Sequence, residues 1–310
     1  MNGGFNGQTL AVFTALAPAG AVAFLCLATF LLVRRPALDG GQFDRLGKWL
    51  FVPIAVVWAG FIASATHLGM PSNALYVVFG IGRSPLSNEV AAVIAFLFFS
   101  GVFWLYMYRI GHAHALSLVL LAAAMASAVL MLACMALAYG VDTVVSWHTW
   151  HTPANLLATA AFSGPALASA VLLVAEVDSR MWPRVLIAIS AVALVAGTAL
   201  LLSYLTFLSE ARNNVIGALS LVGDLPLIIA VHAVVGGVGL CLQTAGLSLK
   251  VSRARAIVFS LVGWLLVIAH RSSSDSPSTM RTFRSDSDVR ARWASCTAAD
   301  IWYTCRTLAR

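Results

Sequence analysis

Charge is what this chain has least of. Only 10% of its 310 residues are Asp, Glu, Lys or Arg, and 60% are hydrophobic. A soluble domain carries roughly 25% charged residues, so this sparse supply cannot coat a water-facing surface, and a mean hydropathy of +0.89 identifies an integral membrane protein. The ten-residue alternating segments of a transmembrane barrel are missing as well. The five cysteines form no Cys-x-x-Cys: Cys26, Cys134 and Cys241 fall inside apolar runs, Cys296 and Cys305 near the C-terminus. That spacing encodes neither an iron–sulfur cluster nor a zinc site. Met1 to Thr9 has no positively charged stretch, so the first apolar run is expected to be a retained helix and not a cleaved signal peptide. The net charge of +7 is not gathered on a basic face interleaved with aromatics, and nucleic acid is not an expected partner.

What is present is a succession of apolar runs long enough to cross a hydrocarbon core of about 30 Å as helices of about 20 residues. Eight are read, at 9–33, 49–65, 90–108, 116–139, 155–174, 185–208, 225–249 and a short one at 256–270. The fold class is therefore all-α, a polytopic transmembrane helical bundle of about eight helices. Arg34, Arg35, Arg45, Lys48, Arg109, Arg180, Arg184, Lys250, Arg253 and Arg255 all fall in the odd-numbered connections, whereas the even-numbered ones hold Arg83 and Arg212. Cytoplasmic loops retain Lys and Arg, which puts the N-terminus outside. Gly236, Gly237 and Gly239 suit close helix packing, and Gly164-Pro165 is expected to bend its helix. Residues 1–270 form the transmembrane domain. From Arg271 to Arg310 the sequence turns polar, rich in Ser, Thr, Arg and Asp, and reads either as a disordered tail or as the product of a shifted reading frame.

Few residues in this body can do chemistry. His67 follows the second span and precedes the helix-ending Gly69 and Pro71. A neutral imidazole there can accept a hydrogen bond from a quinol hydroxyl and take its proton; the bland alternative is a histidine that caps the helix. Glu89 opens the third span behind Ser87 and Asn88, either of which is a ready N-cap. It is a proton acceptor beside His67 or a carboxylate complementing the helix dipole, and an ionisable group at membrane depth favours function. In the loop from Asp142 to Pro153, Trp147 and Trp150 suit an interfacial aromatic belt. His148 and His151 have the spacing of metal ligands, but no Cys or carboxylate completes the set, so no metal is expected. Only His232 sits well within a span, without a facing histidine, so haem is not expected either.

Phe61-Ile62-Ala63-Ser64, His67-Leu68-Gly69, Ser84-Pro85-Leu86-Ser87-Asn88-Glu89, Asp142-Thr143-Val144 with Trp147, Trp150 and Thr152-Pro153, and Gly164-Pro165 together resemble the DmsC-type membrane anchor subunits of dimethyl sulfoxide reductase and related molybdoenzymes. The resemblance covers about the first 270 residues. It implies a multi-pass anchor in the bacterial cytoplasmic (inner) membrane, surrounded by membrane lipid, that holds a molybdopterin catalytic subunit and a four-cluster iron–sulfur subunit. It also implies that the protein oxidises menaquinol in anaerobic respiration and holds no haem or iron–sulfur cluster of its own. The family's quinol-site histidine and glutamate fall on His67 and Glu89, with Arg83 a further candidate for quinol binding or partner docking. The tail departs from the pattern, since the family ends in a complete eighth helix. The competing expectations are a small-solute or ion transporter, which would favour an inverted repeat and polar mid-membrane residues, and a purely structural anchor.

Overall fold

The computed structural model describes residues 7–65, 71–111, 115–140, 149–177, 181–210, 225–248 and 252–274. They form nine α-helices: α1 (Gly7–Arg34), α2 (Gly40–Trp49), α3 (Phe51–Ala65), α4 (Pro85–Arg109), α5 (Ala115–Ala138), α6 (His151–Val174), α7 (Met181–Glu210), α8 (Leu225–Ser248) and α9 (Arg253–Ser274). Two 3-10 segments, Arg35–Ala37 and Pro71–Gly80, complete the described structure, which contains no strand. Seven stretches of the described residues are long and apolar enough to span a membrane, α2 and α3 counting together as one. The fold is thus the polytopic helical bundle expected. The eighth apolar run lies in α9, where Arg253 and Arg255 precede Ala256 and polar residues resume at His270. The intervening stretch covers only ~21 Å at 1.5 Å per residue, short of a full crossing.

α1 is the centre of the bundle, packed against α3, α5, α6 and α9. Alternate alanines from Ala15 to Ala23 are almost wholly buried, as are Phe24, Leu27, Phe30 and Leu31. A helix apolar on all sides belongs inside, and small side chains let its neighbours come near. Against α6, a methyl group on Gly164 would fall 2.6 Å from Val22 Cβ, so only glycine permits that crossing. Pro165 sits inside α6 without ending it. Edge-to-face rings join α1 to its other neighbours, Phe24 to Phe96 of α4 and Phe30 to Trp182 of α7, each at 5.3 Å. The outer faces are apolar too: Phe98, Leu137, Val192 and Val195 are well exposed, a surface suited to lipid.

α2 was not among the expected spans, because Gly40-Gly41-Gln42-Phe43-Asp44-Arg45 is too polar to read as membrane helix. It forms for local reasons. The Asp39 carboxylate caps it, accepting from the Gln42 N–H at 2.7 Å, and Phe43, Leu46 and Gly47 bury one face while the polar face stays in water. The backbone then passes through Leu50 directly into α3.

At this end of the bundle three connections are tied together. Glu176, just past α6, accepts from Arg45 of α2 at 3.2 Å and faces Arg253 of α9 at 3.4 Å. Arg253 also donates to the Leu173 carbonyl at 2.8 Å, supplying a partner for one of the last carbonyls of α6. The boundary expected at 270 falls within α9, which continues to Ser274; residues 275–310 lie outside those described.

Candidate functional site

The opposite end carries Glu89. α4 begins at Pro85, five residues before the expected start at 90, because proline is pre-set for the first helical position. Ser84, and neither Ser87 nor Asn88, is the N-cap, and it makes no side-chain capping bond. Asn88 instead accepts from the Gly82 N–H at 2.7 Å, closing a turn in which Gly82 has φ +80°, a left-handed conformation that glycine adopts without strain. The earlier start moves Glu89 out of the first turn and into the body of α4.

There Glu89 is only 2% exposed, the one buried acidic side chain among the described residues. Several buried hydroxyls in the bundle satisfy themselves on their own helix: Ser100 donates to the Phe96 carbonyl, Ser127 to Ala124 and Ser169 to Ala166, the usual solution where water is excluded. Glu89 has no such recourse, and its Oε1 finds no hydrogen-bond partner among the described residues. Leaving a buried ionisable group unmatched costs several kcal/mol, which makes Glu89 the leading candidate for a role beyond packing.

Glu89 borders a cavity of about 40 Å³ lined also by Phe13 of α1, Phe61 and Ser64 of α3, Leu86, Val90 and Val93 of α4, and Tyr139 just after α5. Four helices thus meet around a carboxyl group, with Ser64 and Tyr139 as the other polar side chains on the walls. Neither had been assigned a role from sequence. Ser64 lies in a run that carried the family resemblance, but Tyr139 joins the site only through the return of α5 to this end. Leu86 is half-exposed, so the cavity lies close under the lipid-facing surface between α3 and α4.

The other candidates lie as follows. His67 falls in 66–70, outside the described residues, three positions after Ser64 in the sequence. Arg83 sits exposed in the turn before α4 and is not among the residues lining the cavity. His148 is outside the described residues. His151 starts α6, buried, with Nε2 at 3.0 Å from Ser203 Oγ of α7 and its ring stacked on Trp150 at 4.1 Å. His232 lines a second, smaller cavity of about 10 Å³ with Thr159, Phe162 and Leu194.

The profile of the family described as DMSO reductase anchor subunit (DmsC) matches residues 1–273. The protein belongs to the DMSO reductase anchor subunit family. Among its relatives it is 32% identical over 250 residues to the C chain of the anaerobic dimethyl sulfoxide reductase of Escherichia coli (strain K12), an overlap of 79% of this sequence and 85% of the relative. It is 32% identical over 205 residues to the YnfH chain of an anaerobic dimethyl sulfoxide reductase of the same organism, an overlap of 65% and 70%. A third relative, the C chain of the anaerobic dimethyl sulfoxide reductase of Haemophilus influenzae, is 36% identical over 105 residues, an overlap of 34% and 37%. As an anchor subunit the protein is a multi-pass membrane component of a DMSO reductase complex, and its family match ends at residue 273, within the last turn of α9.

Proposed function

We propose that this anchor subunit oxidises menaquinol at the Glu89 end of the bundle and passes the electrons to an iron–sulfur subunit, which relays them to a molybdopterin catalytic subunit. The observation that carries the proposal is the buried Glu89, with an oxygen unmatched on a cavity at the membrane's edge, in the helix that follows the His67 connection. Menaquinol reaches it laterally from the bilayer, between α3 and α4. Its oxidation releases two protons and two electrons and leaves menaquinone. His67 accepts the proton of one quinol hydroxyl as an electron leaves, Glu89 takes the other and passes protons on to the adjacent water, and each electron departs to a cluster of the partner.

Orientation fits this division of labour. With the N-terminus outside, the Glu89 end faces the extracytoplasmic side of a bacterial inner membrane and the Arg45–Glu176–Arg253 tie faces the cytoplasm, where positive loops are retained. A single cysteine at position 83 should then react with a membrane-impermeant reagent in intact cells, and one at position 45 should not.

The decisive comparison uses the complex co-expressed with its partner subunits, driven once by a menaquinol analogue and once by a soluble dye that donates directly to the clusters. H67R and E89Q should each lower the quinol-driven rate by about a hundredfold or more, the scale of a lost proton acceptor, and leave the dye-driven rate intact. Wild-type quinol-driven rates in both variants would make the protein a structural anchor.

A further inference from the structure

Resting on the quinol reading above, we infer that Tyr139 is a quinol-positioning residue, its phenol hydroxyl forming with Glu89 and Ser64 the polar walls of one pocket. The cavity they share, about 40 Å³, has room for a few waters, at roughly 10–15 Å³ each on the same measure, and is too small for a bicyclic ring. Only the hydroxyl edge of the quinol therefore enters, while the ring lies in the crevice beside Phe61 and Leu86, near the lipid-facing surface. A hydroxyl that reaches the pocket needs an acceptor for its proton and a donor to fix its oxygen. Glu89 supplies the first, since its Oε1 has no other partner among the described residues. A carboxylate alone cannot supply the second.

The hydroxyl-bearing residues that line it are Ser64 and Tyr139, and a hydroxyl can donate. They come from different helices than Glu89, Ser64 from the end of α3 and Tyr139 from just past α5, so the pocket is grasped from several sides. Tyr139 is part-buried against the bundle core, and its backbone N–H is bonded to the Met135 carbonyl at 3.3 Å, which holds the residue as a continuation of α5 although the regular helix has ended. A phenol suits this role because it donates or accepts, so it can follow the substrate oxygen from hydroxyl to carbonyl as quinol becomes quinone. Its aromatic body also offers the ring an apolar edge.

The test is Tyr139→Phe, which keeps the ring and its packing, in the intact complex. Losing one hydrogen bond to the substrate should raise KM for the menaquinol analogue about tenfold, the upper range of a neutral hydrogen bond, with kcat changed by no more than about twofold and the dye-driven rate unchanged. The affinity for a non-reducible quinone analogue, followed by fluorescence quenching, should fall by the same factor. E89Q and H67R, run alongside, separate the outcomes. Wild-type KM and analogue affinity in Y139F, with E89Q and H67R slow, would overturn the role of Tyr139 and leave the quinol site standing. Wild-type quinol kinetics in all three would remove the quinol site and this inference with it. A dye-driven rate lost together with the quinol-driven one in Y139F would make the hydroxyl a structural group and overturn the inference.

Discussion

His151 and Ser203 meet at 3.0 Å, joining the first turn of α6 to the last turns of α7 at the Glu89 end. Tyr204 and Phe207 lie around the imidazole with ring centroids at 5.7 Å, and Trp150 stacks on it. A buried histidine so enclosed holds two helices together. Its substitution by alanine should destabilise the bundle by about 2 kcal/mol, from one hydrogen bond and several ring contacts, lowering Tm in detergent by several degrees. The quinol-driven rate of the surviving complex should be unchanged. An unchanged Tm with a reduced quinol-driven rate would instead make His151 part of the chemistry.

What the sequence disclosed follows the strength of the physical signal. The long helices were legible because an apolar run of some twenty residues has few other uses, and Glu89 stood out because an acid is so rare among them. α2 was missed although its signals were present: Asp39 as a cap and Phe43, Leu46 and Leu50 at helical spacing, masked by a polar average. The N-cap of α4 was misread because Ser87 and Asn88 outweighed Pro85, whose fixed φ starts the helix earlier. Tyr139 and Ser64 could not be singled out, since nothing local says that the ends of α3 and α5 converge on Glu89. Such convergence is a property of packing and leaves no spacing in the sequence.

Glycines that look alike in sequence should behave differently. A methyl group on Gly263 would lie 2.5 Å from the Gly239 carbonyl oxygen, and one on Gly239 would lie 2.7 Å from the Gly263 carbonyl oxygen, so α8 and α9 touch backbone to backbone here. G263A should cost about 1–3 kcal/mol by overpacking. A methyl group on Gly237 meets nothing within 4 Å, so G237A should be neutral or raise stability by up to about 1 kcal/mol through helix propensity. Equal losses in Tm for the two variants would refute the close approach of α8 and α9.

Glu176 carries a tension of its own. It is the one non-glycine residue with positive φ, +59°, among those described, a conformation that costs roughly 1–2 kcal/mol. It nevertheless holds Arg45 and Arg253. Its side chain is 54% exposed, so each ion pair contributes about 1 kcal/mol at most. E176A, which keeps the strain and loses both pairs, should lower stability by about 1 kcal/mol. E176G loses the same pairs but relieves the strain, and should sit near wild type. The difference between the two variants isolates the backbone cost, because neither can bond either arginine; a more stable E176A would show that the left-handed turn carries no strain.

Glu89 should set stability against activity. Its carboxyl group is buried with one oxygen unmatched, and an amide of the same shape costs less to remove from water than the carboxylate needed to accept a proton. E89Q should therefore match or exceed the wild-type Tm, even as the quinol-driven rate collapses. Buried groups kept for packing behave in the opposite way, losing stability when changed. Thermal unfolding of the purified complex, read beside the two donor-driven rates, separates these cases. A lower Tm in E89Q would mean that the carboxyl group makes a bond in the assembled complex that the amide cannot replace, and its loss of activity would then have to be attributed to structure before chemistry. An equal or higher Tm with a slow quinol-driven rate leaves proton transfer as the function for which this buried acid is kept.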